Sequence, residues 1–199
     1  PFQFSTTQAY VIEAGHQYFR FFKDSGVLLS TNPVEITTAY TSSNLFNLQY
    51  AQNADTMYIT SVGSPPMKLT RSSHYLWSLA EVDFSGGPWM PDNSDAGAFI
   101  KASSYSVGAV TLTASGNTTF VTAGSASLSG SLLRIGTSNG YVRITAISSA
   151  TVALGNVVQV LNSAAATKFT DDWALGAWSV ANGFPTAVSF FEQRLYFAG

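Results

Sequence analysis

Apolar and polar positions alternate along most of this chain, and few stretches repeat at the helical period. Ala9–Glu13 (AYVIE) and Gln17–Phe22 (QYFRFF) flank Ala14-Gly15-His16, a spacing that predicts a β-hairpin. Lys23-Asp24-Ser25-Gly26 reads as a turn, with extended chain over Gly26–Leu29. Thr56–Thr60 and Met67–Arg71 read as strands, the second with Met67 and Leu69 inward and Lys68 and Thr70 outward. Tyr75–Phe84 begins as another strand. Ser64-Pro65-Pro66 separates the first two of these, because consecutive prolines cannot donate to a ladder and mark a strand edge or crossing loop. The best helical segment is Ala39–Gln49, where Leu45 and Leu48 share a turn capped by Thr41 or Ser42. Ser189–Gly199 (SFFEQRLYFAG) reads as one strand, with Val188 and Phe190 facing one way and Phe191 and Leu195 the other. Such a strand needs a partner from earlier in the chain, from another copy or from residues beyond this sequence.

The texture changes near Pro91. From Ala98 to Thr167 aromatic residues thin out, and Ser, Thr, Val, Ala and Gly dominate. Short strands are expected at Ala109–Thr113, Thr118–Thr122, Leu132–Ile135, Tyr141–Ile147, Ala150–Ala153 and Val157–Val160. Asn139-Gly140 predicts a type I′ turn between the third and fourth of these. Strands of this size and number suit a small closed barrel, SH3-like in size. The expected class is therefore all-β. Residues 1–91 plus 168–199 would form a β-propeller-like domain of antiparallel sheets, incomplete as it stands, and residues 92–167 an inserted small β-barrel. Weak likeness among AYVIEAGHQYFRFF, DTMYITSVGSPPMKLTR and SFFEQRLYFAG is the basis for the propeller.

Charge changes the functional picture most. Charged residues make up 10% of the 199, against about 25% in ordinary soluble domains, while 46% are hydrophobic. A surface of uncharged groups suits a subunit packed against neighbours, because such groups cost less to bury. Net charge is −2 and no basic run occurs, so wrapping of nucleic acid has no electrostatic basis. No apolar stretch reaches membrane-spanning length, and PFQFSTTQAY lacks the pattern of a signal peptide. The absence of an initial Met leads us to expect a processed or trimmed chain. Without Cys, no disulfide is available.

Candidate chemistry is sparse. His16 and His74 are the two histidines, each beside a turn residue, and nothing in the sequence places them together. Nucleophile-elbow, dinucleotide, phosphate-loop and zinc-helix signatures are absent. Asp92-Asn93-Ser94-Asp95-Ala96-Gly97 is a poor calcium loop, with Ala96 at the fifth place, and reads as a linker. Asp171 and Asp172 would point oppositely in a strand. Glu81 and Asp83 would share a strand face, where they could hold a metal or serve glycoside chemistry, although a solvated face is the simpler reading. Tyr75, Trp77, Trp89, Trp173 and Trp178 could stack on sugar rings, or pack in cores and interfaces. We assign no catalytic, cofactor-binding or metal-binding residue and expect neither an enzyme nor a cofactor.

Four stretches carry a resemblance: LFNLQYAQNADTMYITSVGSPPMKLTR (Leu45–Arg71), WSLAEVDFSGGPWMPDN (Trp77–Asn93), VRITAISSATVA (Val142–Ala153) and WALGAWSVANGFPTAVSFFEQRLYFAG (Trp173–Gly199). Together they resemble the tail nozzle, or tail tubular protein B, family of short-tailed bacteriophages. The resemblance implies a structural virion protein, part of a six-fold nozzle ring around the DNA-exit conduit. The full-length parent would be a homo-oligomer meeting adaptor and fibre proteins of the tail. DNA would pass without specific contacts, and assembly would take place in the host cytoplasm. Family members are longer, so the chain is expected to be a fragment or a short variant, with SFFEQRLYFAG opening a further blade. The alternative function is a carbohydrate-binding or depolymerising tail protein acting on the host surface.

Overall fold

A computed structural model describes residues 1–118, 120, 127–136 and 138–199. The chain is all-β with several antiparallel sheets and divides into two units, Pro1–Asp83 with Phe184–Gly199 and Phe84–Gly183. Neither a closed barrel nor a propeller is found among the described residues.

The first unit begins with β1 (Phe2–Gln3), β2 (Ala9–Gly15), β3 (Tyr18–Lys23), β4 (Gly26–Val27) and β5 (Glu35–Thr37), a sheet ordered β1-β2-β3-β4 in which β5 also pairs with β3. Two-residue turns set its register. His16-Gln17 joins Gly15 to Tyr18, and Asp24-Ser25 joins Lys23 to Gly26. Gln17, Asp24 and Ser25 adopt positive φ, the backbone such turns require. Alternation then aims Phe19 and Phe21 into the core and leaves Arg20 between Glu13 and Glu35 outside.

The expected helix over Ala39–Gln49 is reduced to one 3-10 turn, Leu45–Asn47. Asn44 precedes it without a side-chain cap, and neither Thr41 nor Ser42 caps it. Three residues give too few backbone bonds to propagate.

The meander β6 (Gln49–Asn53), β7 (Thr56–Ser61), β8 (Ser64–Arg71) and β9 (Trp77–Glu81) follows. The turn between β7 and β8 is Val62-Gly63, with Gly63 at φ +73°, so the prolines fall inside β8 rather than between strands. A bulge makes this possible. Ile59 pairs with Met67 and Ser61 with Ser64, leaving Pro65 and Pro66 where the ladder asks no N–H of them. Phe2, Tyr10, Phe19, Phe21, Met57, Ile59, Leu69 and Trp77 bury together between these sheets. Each side chain of this size contributes roughly 1.5–3 kcal/mol by leaving water.

The second unit contains β10 (Ala98–Ala102), β11 (Gly108–Gly116), β12 (Leu132–Ile135), β13 (Tyr141–Ser149), β14 (Val152–Gln159), the single-turn α1 (Ala164–Thr167) and β15 (Trp173–Leu175). Its six strands run in the order β10-β11-β14-β13-β12-β15, and an isolated antiparallel bridge joins Ile100 of β10 to Thr170, just ahead of β15. Ile100, Leu112, Leu133, Ile135, Val142, Ile144 and Val157 fill the core. The two strands expected at Ala150–Ala153 and Val157–Val160 are one strand, because Gly155 is not a turn. A Cβ there would lie 2.7 Å from Val142 Cγ1 and 2.8 Å from the Arg143 carbonyl oxygen, so glycine permits close approach of β13. Leu132–Ile135 and Tyr141–Ser149 are joined by residues 136–140, and Gly140 lacks the positive φ of the expected type I′ turn. The strand expected at Thr118–Thr122 lies largely outside the described residues.

The compact unit is also wider than residues 92–167. Trp89 bridges Gly176, Met90 N–H donates to Leu175 O, and Ala177 N–H donates to Pro88 O. Phe84 meets Trp178 edge-on at 4.6 Å. Aromatic texture assigns these flanks to the larger domain, but their backbone pairing ties them to the six-stranded sheet.

The chain closes with a hairpin, β16 (Ala187–Phe191) and β17 (Arg194–Ala198), a two-stranded sheet of its own. Ser189–Gly199 is thus not one strand. It folds back at Glu192-Gln193, both at positive φ, and its backbone partner is itself. Phe190 and Leu195, expected on opposite faces, become cross-strand partners on one face.

Candidate functional site

Within each unit the sequence candidates take up different partners. His16 Nδ1 accepts the Ser42 N–H at 3.3 Å, and His74 Nδ1 lies 2.7 Å from the Tyr10 hydroxyl. β9 ends at Glu81, so the strand face shared with Asp83 is not formed, and both residues are exposed. Trp77 is buried against Phe21, and its Nε1 donates to His74 O. Trp173 Nε1 donates to Ala98 O, Trp89 packs edge-on to Tyr141 and beneath Arg134, and Trp178 packs on Phe84. Tyr75 is the most open ring of the five. No group of three or more acidic or histidine side chains suited to a metal occurs among the described residues.

The Asp92–Gly97 segment is built as a brace. Asp92 pairs with Arg134. Asn93 Nδ2 donates to the carbonyls of Asp95 and Asp171. Asp95 Oδ1 accepts Gly97 N–H at 2.8 Å, and its Oδ2 accepts Asn117 Nδ2 at 3.0 Å. These two bonds, the backbone one foremost, hold the Asp95 carboxyl below the usual aspartate range. The sign follows from linkage. A depressed carboxyl contributes stability above its unfolded value of about 3.9, and the contribution is lost as pH falls through the folded value. Thermal unfolding followed between pH 2 and 6 should therefore give a shallower acid limb for Asp95→Asn than for the parent. Identical limbs would show that the two bonds do not favour the ionised form. The main chains of Asp171 and Asp172 are engaged likewise, Asp171 O by Asn93 and Asp172 O by the Gly136 N–H.

The best-organised polar cluster is one that no sequence pattern announces. Arg71 ends β8 on the Leu69 face with its side chain 8% exposed. Its guanidinium pairs with Asp55 and lies 4.4 Å over Phe4 and 5.5 Å over Tyr10. Gln8 Nε2 and Arg71 Nη1 both donate to the Tyr10 oxygen. The same phenol oxygen shares a hydrogen bond with His74 Nδ1. Alternation alone places Arg71 inward, but its partners Asp55, Tyr10 and Phe4 lie 16, 61 and 67 residues away and carry no local signal.

An apolar groove of about 230 Å³ opens in the first unit, lined among others by Ile12, Phe19, Leu45, Leu48, Met57 and Ile59. Its lining is mostly apolar, with Pro1 and Tyr50 also at its wall. Tyr40 stacks on Phe19 with its hydroxyl buried and unpartnered, and burial pushes that phenol up to about 12. Compared with known proteins, the chain matches no family model and no curated protein.

Proposed function

We propose that this chain is a structural virion protein, a piece of the nozzle ring that forms the DNA-exit conduit of a short-tailed bacteriophage. The observation that carries this reading is where the resembling stretches fall. YAQNADTMYI spans the β6–β7 hairpin, PPMKLTR lies in β8, WALGAWS begins with β15, and FFEQRLYFAG spans the β16–β17 turn. The shared residues thus build sheets and turns, as a wall requires. The 10% charge content supports the same reading, because large permanent contacts disfavour charge.

The finer architecture belongs to this proposal. Four strands in meander order, β6-β7-β8-β9, are what one propeller blade contains. In the second unit, the Ile100–Thr170 bridge links the first strand of the sheet order to the chain entering the last, which supports a barrel-like reading. As for the surroundings, no helix among the described residues is long and apolar enough to cross a membrane. Carbohydrate binding at the host surface draws less support, since Trp77 is buried and Trp89, Trp173 and Trp178 are each packed or hydrogen-bonded within their own unit.

Gold-labelled antibodies raised against this chain should mark the tail tip of intact virions, and the full-length parent should form rings under the electron microscope. A parent that stays monomeric at high concentration and binds no tail component would overturn the assignment.

A further inference from the structure

The β16–β17 hairpin rests on the wrong side of the four-stranded sheet to share its core. Strand alternation sends Met57, Ile59, Leu69 and Trp77 to the inner face, where they bury. The outer face is mostly polar instead, with Gln49, Thr56, Thr60, Lys68 and Ser78 beside Tyr58 and the small side chains of Ala51 and Ala80. The hairpin covers the β6–β7 part of that polar face. It does so as a separate two-stranded sheet, without ladder bonds to β6 or β7.

Its seat is correspondingly slight. Tyr58 meets Phe190 and Phe197 edge-on at 6.0 and 6.2 Å. Thr60 Oγ1 donates to Thr186 O at 2.8 Å. Val188, Phe190, Leu195 and Phe197 face the sheet, yet all four remain only half-buried. A two-stranded ribbon is marginal alone and depends on what it packs against. Here that support is mostly hydroxyl and amide groups, which water solvates equally well, so release sacrifices little.

We propose that the β16–β17 hairpin is a releasable strap. It lifts from the outer face of the β6–β9 sheet as one piece while the inner core stays folded, and lifting bares an apolar stripe of Val188, Phe190, Leu195 and Phe197. Regions with few buried apolar contacts open far below the global unfolding free energy. The strap has that property, and β7–β8 does not.

Hydrogen exchange of the full chain, across a range of urea too low to unfold it, tests this directly. The hairpin amides should exchange about a hundredfold faster than those of β7 and β8, with little dependence on urea, because a local opening exposes little surface. Tyr58→Ala should speed hairpin exchange about tenfold and leave β2–β3 unchanged. Hairpin amides that share the rate and urea dependence of β7–β8 would overturn the proposal, and so would equal acceleration of both regions by Tyr58→Ala. If that variant does not fold, the comparison within the unaltered chain still decides.

Discussion

Trp77→Ala should lower the stability of the first unit by about 3–5 kcal/mol, the range for deleting a buried tryptophan. Three packing elements converge on this ring. Phe21 of β3 stacks on it at 4.0 Å and 16°, while Phe2 of β1 and Tyr10 of β2 meet it edge-on at 4.8 and 5.2 Å. Trp77 itself belongs to β9, so one side chain ties the first sheet to the meander. Its indole N–H is satisfied by His74 O at 3.1 Å, so the burial leaves no donor unpaired. Truncation would remove the apolar area and leave a void that the rigid strands on either side cannot close. Trp77→Phe keeps most of the area and forfeits the hydrogen bond, for a loss of about 1–2 kcal/mol. Urea unfolding monitored by far-ultraviolet circular dichroism measures both. A loss below about 1 kcal/mol for Trp77→Ala would mean that the two sheets are held elsewhere.

Elements built on strict alternation are legible in the amino-acid sequence itself. β3 and the first part of β7 bury alternate residues, and β3 pairs locally through short turns. What escapes a reading of the sequence depends on backbone conformation or distant partners. Glu192-Gln193 makes a two-residue turn at φ 45° and 62° without the Asn or Gly that usually announces one, so a hairpin reads as a strand. Pro65 and Pro66 read as a break because the bulge that admits them is a property of the pair β7–β8, not of β8 alone. Ala150–Ala153 and Val157–Val160 read as two strands because the close approach of Val142 to Gly155 cannot be seen locally. The second unit's edges rest on bonds of the same long range, since Met90 N–H donates to Leu175 O across 85 residues. Candidate chemistry follows the same division. Glu81 and Asp83 are paired by an alternation that ends at Glu81, whereas the Arg71 cluster draws on Gln8, Tyr10, Asp55 and His74.

That cluster yields an asymmetric prediction. Asp55→Ala should destabilise by about 2–3 kcal/mol, and Arg71→Met by less than about 1 kcal/mol, although the two residues form one ion pair. The difference lies in what each substitution leaves behind. Arg71 is the desolvated partner, with its side chain 8% exposed and its Nε without an acceptor. Removing Asp55 leaves this cation the faces of Phe4 and Tyr10 and the long Nη1 bond to the Tyr10 oxygen, and such contacts offset part of the lost pairing. Asp55 is 38% exposed, so water screens the pair and the cost falls below the 3–5 kcal/mol typical of a fully buried one. Removing Arg71 instead leaves Asp55, 38% exposed although its Oδ1 is buried, able to turn its carboxylate to water, while methionine refills the space between the same two rings with a chain that suits irregular apolar gaps. Tyr10 keeps Gln8 and His74 as partners in either case. The double variant should resemble Arg71→Met, since Asp55 has no further task once the cation is gone. Urea midpoints of the three variants at neutral pH supply the full cycle. Equal losses for the two single substitutions would place the desolvation cost on Asp55 as much as on Arg71 and refute this account of the cluster.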